Sequence, residues 1–217
     1  MLIACWSVKG GSGTSVVAAG LALILARSMP EGALAVDLAG DLPATFGVPE
    51  PAGPGLREWV ATRHVGDDSL VRLEVEVGPG LHLIAAGDTR ATARIDAAGA
   101  DRLCAALDPG RHVVADCGSA GDEAGITMAS SAALSLLVLR PCYLALRRAL
   151  AAPIRPSGVI LVDEPGRSLG RRDIEDVLGV PVRAEVAWDP AVARAVDAGL
   201  LASRVPRTLE RALRRAA

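Results

Sequence analysis

Asparagine and glutamine are absent from this chain of 217 residues. Any recognition that normally uses a side-chain amide, donor and acceptor together, must here be done by backbone or charged groups. Aromatic side chains are scarce: three tryptophans, one tyrosine and one phenylalanine. The 51% apolar fraction is therefore made of small aliphatic residues, which suits a parallel sheet covered by helices on both faces. Neither charge is in excess, with 23 basic and 25 acidic residues, and a net charge of −2 gives no global reason to expect nucleic acid or an acidic membrane as partner. The four cysteines, Cys5, Cys104, Cys117 and Cys142, form no CxxC pair and no metal-ligand spacing. They are expected to be buried reduced thiols of a cytoplasmic protein. The apolar run from Val16 to Ala26 is too short to cross a bilayer. Glycines and another apolar segment precede it, which argues against a secretion signal.

Lysine is nearly missing. Of 23 basic side chains only Lys9 is a lysine. In a chain that otherwise uses arginine for every cation, one lysine in a glycine loop answers a local need for a compact point charge that reaches phosphate. The competing reading is chance survival.

Apolar segments bounded by turn residues alternate with helical stretches along the whole length. Strands are predicted at Leu2–Val8, Ala33–Leu38, His112–Asp116, Leu134–Leu139, Gly158–Val162 and Val182–Ala187. Helices are predicted at Ser15–Ser28, Leu56–Arg63, Ala97–Leu107, Glu123–Ser131, Leu144–Ala152, Arg171–Leu178, Pro190–Ala198 and Thr208–Arg215. The passage GDLPATFGVPEPAGPG, residues 40 to 55, reads as irregular. LVRLEVEV, residues 70 to 77, alternates like a half-solvated strand and turns through GPG into LHLIAA as a hairpin. Such alternation predicts a single α/β domain over residues 1–217, a mostly parallel sheet with crossover helices.

The stretch WSVKGGSGTSVVAAGLALILA, residues 6 to 26, sets a glycine loop between an apolar strand and an apolar helix. Glycines at 10, 11 and 13 let successive N–H groups converge on one anion. The helix starting near Thr14 adds the positive end of its dipole. Ser15 is placed either as a magnesium ligand or as a helix cap. Phosphate binding is the reading adopted, with a plain strand–turn–helix as the alternative.

KGGSGTS resembles the deviant phosphate loop KGGxGK[ST] of the MinD/ParA group of P-loop ATPases, except that Thr14 replaces the second lysine. LAVDLAGDLPATFG is similar to the family's second-strand aspartate segment, and HVVADCGSAG to its Walker B strand and switch. LHLIAAGDTR resembles the segment before that strand. DVLGVPVRAEVAWDPAVARAVDAG resembles the closing strand and the loop flanking the adenine. The segments follow the family's order over nearly the full chain. One branch, the TadZ/CpaE-like proteins of Tad pilus assembly, also carries atypical phosphate loops.

The resemblance implies a P-loop NTPase-like three-layer sandwich that binds ATP with Mg2+. The nucleotide contacts would come from Lys9, Gly10, Gly11, Ser12, Gly13, Thr14, Ser15 and Val16. Lys9 would reach the partner's phosphates across a homodimer. Thr14 offers a hydroxyl without charge, which weakens binding by about ten- to over a hundredfold. Asp37 matches the first aspartate of the second-strand motif, and Ala39 stands where a second would orient the attacking water. Asp41, two residues on, either substitutes for it or caps the following turn. Ser15, Asp37 and Asp116 form the implied magnesium set, and Asp163 stands near the place of an adenine-contacting asparagine. The implied catalytic residues are Lys9, Asp37 and Asp41.

The segment from 206 to 217 reads as an Arg-rich helix with Leu209 and Leu213 on one face and Arg207, Arg211, Arg214 and Arg215 elsewhere. Packing on the domain is its default, with weak binding to an anionic membrane or DNA surface as the alternative. His64, His82 and His112 are scattered, and GRSLGRR (residues 166 to 172) reads as a basic loop, solvated by default, with contact to a partner or nucleotide as the alternative. The expected function is an ATP-binding dimeric switch with weak or absent hydrolysis, used with a protein partner in septum, pilus or chromosome positioning. It would be cytoplasmic or peripheral at a membrane. The rival is a scaffold for Tad/Flp pilus assembly that has lost turnover.

Overall fold

The computed structural model describes residues 1–62, 68–88, 94–119 and 121–216. The first half runs β1 (Leu2–Ser7), α1 (Thr14–Ser28), β2 (Ala33–Asp37), α2 (Leu42–Phe46), α3 (Leu56–Ala61), α4 (Asp68–Val71), β3 (Val75–Gly78), β4 (Leu81–Ile84) and α5 (Ala97–Ala106). The second half runs β5 (His112–Ser119), α6 (Glu123–Ser131), β6 (Leu134–Leu139), α7 (Tyr143–Leu150), β7 (Gly158–Asp163), α8 (Arg171–Leu178), β8 (Val182–Ala187), α9 (Pro190–Asp197) and α10 (Arg207–Leu213).

The strands form one eight-stranded sheet in the order β3-β4-β2-β5-β1-β6-β7-β8. Every neighbouring pair is parallel except the hairpin β3–β4 at one edge. Alternate residues of each central strand serve opposite faces, as the pleat requires. Ile3 and Cys5 of β1 join α1, α2 and α10 in one core, while Ala4 and Trp6 join α3, α5, α6, α7 and α8 in the other. Trp6 is fully buried and donates its indole N–H to the Ser135 hydroxyl at 3.0 Å, so its polar tip is satisfied. These two layers around a sheet are the three-layer α/β sandwich read from the sequence.

Gly20, inside α1, makes room for α10. A Cβ there would sit 2.7 Å from Leu213 Cδ1 and 3.3 Å from Leu209 Cδ2. The two leucines of α10 are consequently buried in the core, against α1.

Three expectations are corrected. Residues 40 to 55 are not wholly irregular, because α2 forms there with Pro43 in its first turn, where a missing N–H costs nothing. Gly47 then stops it at φ 79°, the left-handed geometry that ends helices. Within residues 70 to 77 only Val75 onward is strand; Leu70 and Val71 belong to α4, and Leu70 is buried under α3. Cys104 and Cys142 are half-buried, while Cys5 and Cys117 are buried as expected. The expected end of the third helix at Arg63, together with His64 and the Thr89–Arg90 end of the LHLIAAGDTR segment, lies outside the described residues.

Candidate functional site

Strand order reverses around β1, which lies between β5 and β6. In open parallel sheets the crevice at the carboxyl ends of such strands is where ligands bind. The glycine loop, Lys9 to Gly13, leaves β1 at that crevice.

Gly11 has φ 73° and Gly13 φ 91°, with no positive φ at Ser12 between them. Alternating hands curl successive amides towards one side, making a concavity for an anion. Gly13, and not Ser15, is the N-cap residue of α1, so the capping role considered for Ser15 is not the one it has. Among the described residues the N–H groups of Gly10 to Val16 donate no hydrogen bond to a protein oxygen. The loop is braced from beneath instead: the hydroxyls of Ser7 and Ser12 both donate to Lys9 O at 3.0 Å, and that of Ser7 also to Gly118 O at 3.2 Å. The Lys9 carbonyl is held, while the loop amides have no hydrogen bond to the protein among the described residues.

Beside the loop, β2 and β5 bring two carboxylates together. Asp37 and Asp116 are register partners at adjacent strands, and both are fully buried. Asp37 accepts from Gly40 N at 2.7 Å and Leu42 N at 3.0 Å. Asp116 Oδ1 accepts from Gly118 N at 3.0 Å, whereas its Oδ2 is buried without a hydrogen bond. Burial and the Asp116 charge push Asp37 from an ordinary 3.8 up to about 7, against the pull of the two amides. Burial raises Asp116 to about 6, with the Ser15 hydroxyl and the Gly118 amide drawing it back and Asp41 adding to the rise. The strand expected to end at Asp116 continues to Ser119, which carries the chain past the loop.

This arrangement fits a divalent cation. Asp116 Oδ2 is buried and closes no hydrogen bond, with the Ser15 hydroxyl near the carboxylate, and two neighbouring acids resist ionising together; a cation answers both. No group of three acidic, histidine or cysteine side chains gathers as a chelate among the described residues. A cation held here would rely on phosphate oxygens and water as well, which is how magnesium is usually bound. Ser15 and Asp116 are candidates to hold it; each oxygen of Asp37 accepts one backbone amide and keeps a lone pair for the cation or its water.

The loop, the ends of β2 and β5, and α3 enclose a cleft of about 690 Å³. Gly10 to Val16 form one wall, with Thr14 only 7% exposed. Leu38, Ala39, Asp41, Arg57 and Arg94 form the opposite wall. Asp41 is the N-cap residue of α2 but makes no side-chain cap, and Pro43, second in the helix, has no N–H for it to take. Its carboxylate is exposed at the cleft. Arg57 and Arg94 are members of the wall that sequence reasoning missed, because only the packing of α3 brings Arg57 there. Cys117 also lines the cleft, and burial holds its thiol protonated, which makes it a poor nucleophile.

A second hollow of about 200 Å³ shares Gly13 and Val16 with the cleft and is lined by Val162, Trp188, Val192 and Val196. Arg140 stacks over Trp188 at 5.0 Å. Asp163 is exposed at the end of β7 and lines neither hollow, although its carbonyl accepts from Trp188 N at 2.8 Å. Lys9 is half-exposed and likewise lines neither. On α10, Arg207, Arg211 and Arg215 border a groove beside β8 with Glu185. The basic loop at 166 to 172 is largely neutralised, with Arg167 paired to Glu164 at 2.6 Å and Arg171 to Glu175 and Glu185 at 3.1 Å. Among the described residues no helix is long and apolar enough to cross a membrane.

No protein-family profile and no curated protein matches the chain. Solved structures do. A ParA family ATPase from Chlorobium tepidum superposes with a TM-score of 0.80 at 20% identity, covering 98% of this chain and 95% of that one. The septum site-determining protein MinD of Pyrococcus horikoshii, complexed with Mg-ADP, gives 0.80 at 20% over 99% and 93%. The cell division ATPase MinD of Pyrococcus furiosus gives 0.80 at 21% over 100% and 99%. The fold is that of the MinD and ParA P-loop ATPases.

Proposed function

We propose that this chain is a MinD/ParA-type nucleotide-dependent switch in spatial positioning, binding Mg-ATP at Lys9–Val16 and hydrolysing it slowly or not at all. The observation that carries the reading is the row of amides from Gly10 to Val16, without protein partners, lining a cleft that Cys117 and Gly118 also line, next in the chain to the buried Asp116 carboxylate. Solved neighbours support it: MinD was crystallised with Mg-ADP, a McdA variant from Cyanothece with ATP, and Aquifex aeolicus MinD in complex with MinC.

Each residue has a stated task. The loop amides hold the phosphate chain, and Thr14, inside the cleft, adds a hydroxyl donor. Magnesium, when bound, neutralises phosphate charge. Ser15 and Asp116 bind and orient it, and Asp37 holds the turn through Gly40 and Leu42. The apolar hollow at Val162 and Trp188 takes the base by contact area, so Asp163 is left without a base-reading role. Lys9, directed to neither hollow, is free to cross to the phosphates of a second copy. Asp41, two residues from Ala39 and on the same wall of the cleft, is the carboxylate assigned to orient water there, where the fold otherwise offers a methyl group.

Thr14 and Ala39 also favour a second reading, a scaffold for Tad/Flp pilus assembly that keeps the dimer and lacks turnover. Sedimentation velocity separates the two. The switch reading expects a shift from monomer to dimer with Mg-ATP, abolished by Lys9→Ala. A dimer indifferent to nucleotide supports the scaffold, and a monomer under all conditions rejects both.

A further inference from the structure

Thr14 leaves the phosphate site one cation short, and the opposite wall of the cleft supplies a candidate. Arg57 is the second residue of α3, and its backbone N–H is fixed to Ala86 O at 3.1 Å, after β4. Its side chain is half-buried and lines the cleft with the glycine loop. Nη1 is cut off from solvent and has no hydrogen-bond partner. Other arginines with an orphaned nitrogen are engaged elsewhere: Arg102 donates to Trp59 O and Val60 O, Arg111 pairs with Glu74, and Arg140 stacks on Trp188. Arg57 alone among them lines this cleft, and among the described residues it makes no ion pair.

The neighbouring acid does not neutralise it. Glu58 is occupied by the backbone, accepting from Gly55 N at 2.7 Å and Asp88 N at 3.1 Å. Asp41 and Asp122 share the cleft wall without bonding to the guanidinium. A charged donor shielded from water and left unpaired is costly, and the cost is recovered when an anion arrives.

Position decides which anion group it meets. The apolar hollow lies towards β7 and β8, the loop follows β1, and Arg57 stands beyond β2 with Ala39 and Asp41. A nucleotide laid with its base in the hollow and its inner phosphates on the loop brings its terminal phosphate to this end.

We propose that Arg57 is the cation that binds the terminal phosphate of a nucleoside triphosphate, supplying from α3 the charge that Thr14 does not. The proposal rests on the nucleotide-binding reading above. Arginine suits the role because its planar fork can donate two parallel bonds to phosphate oxygens. Arg94, exposed at the rim, contributes only screened attraction.

The test is calorimetric titration of the full chain with Mg-ATP and Mg-ADP. Arg57→Ala should weaken Mg-ATP by about ten- to a hundredfold and Mg-ADP by less than about threefold, the loss of one charge-assisted contact. Arg94→Ala should stay within about threefold for both, as for a solvated rim charge. Adding Thr14→Lys should recover more affinity in the Arg57→Ala background than in the wild type, since both cations serve one phosphate. Should Arg57→Ala not fold by circular dichroism, Arg57→Gln against Arg57→Lys decides: only the glutamine variant should lose the preference for triphosphate. Equal losses for ATP and ADP, no loss at all, or a larger loss at Arg94 overturn the proposal. Wild-type protein that takes up neither nucleotide overturns the underlying reading instead.

Discussion

The two ends of the cleft are built on opposite plans. At the β2–β5 end the protein buries charge without fully answering it: Asp116 Oδ2 and Arg57 Nη1 close no hydrogen bond, and two buried carboxylates are neighbours on adjacent strands. At the β7–β8 end polar groups are mostly served. Asp189 accepts from Ala191 N at 2.8 Å and from the Thr208 hydroxyl at 2.7 Å, and Trp188 N is taken by Asp163 O. The rest is an apolar surface of valines under Trp188. The first end stores a debt that only a polyanion with a cation can settle; the second offers contact area without directional readers. Affinity and nucleotide charge should therefore be decided at β2–β5, and base identity hardly at all.

The largest effect is expected between the two ends, at the hinge of the loop. Gly13 has φ 91°, and a Cβ there would meet only Val162 Cγ2 at 4.0 Å, so Gly13→Ala suffers backbone strain without a clash. Side chains tolerate that geometry at a cost of about 1–3 kcal/mol, which is relieved by turning the following amides out of the cradle. Mg-ATP affinity should drop about ten- to a hundredfold with the fold retained. A calorimetric titration beside a circular dichroism melt checks both halves. Unchanged affinity would mean the amides are not the phosphate ligands.

Next comes the pH behaviour of the acidic end. Asp37 at about 7 and Asp116 at about 6 both lie above their ordinary 3.8, so the folded protein holds protons that the unfolded chain has released. Stability without ligand is therefore fullest below about pH 4 and declines as pH rises towards 7. Melting temperature should be lower at pH 8 than at pH 5, with about 2–4 °C for each kcal/mol lost. Asp116→Asn should shrink that difference by removing one buried charge and easing its neighbour. Mg-ATP should stabilise the wild type more at pH 8 than at pH 5, because it favours the ionised pair. A melting temperature flat between pH 4 and 7 would show both acids to be solvated, and the contrast between the ends would disappear.

How much of this could be read from the chain alone follows the same divide. The glycine loop was legible because its conformation is local: glycine at 11 and 13 permits the left-handed turns found there. Asp37 and Asp116 were legible because each ends an apolar run that pairs in register. Asp41 was ambiguous in sequence, as either a cap or a cleft residue. In the structure its side chain makes no cap, Pro43 offers no N–H at the second helical position, and the folding of β2 and α3 around it sets it at the cleft, which no spacing rule encodes. Arg57 was illegible for a similar reason: one arginine among many, in a short helix, set at the cleft by a backbone bond to Ala86. The proline-rich passage misled because Pro43 was read as a breaker, while in a first turn it starts a helix. The C-terminal leucines were expected to pack, and Gly20 of α1 provides the room.

The smallest effect belongs to the apolar end. Trp188 is 45% exposed, so its ring forms a lid over the hollow and not a core wall. Stacking of a base on an aromatic ring contributes about 1–3 kcal/mol when well formed. Arg140 already occupies part of the Trp188 face, which places this site at the low end of that range. Trp188→Ala should therefore weaken ATP, ADP and GTP alike by about three- to tenfold. The wild type should separate ATP from GTP by less than about tenfold, since valine side chains carry no hydrogen-bond code for a purine edge. Competition titrations with the three nucleotides read both numbers. A strong preference for adenine, lost with Trp188, would show that this end reads base edges after all and that the division of labour is drawn in the wrong place.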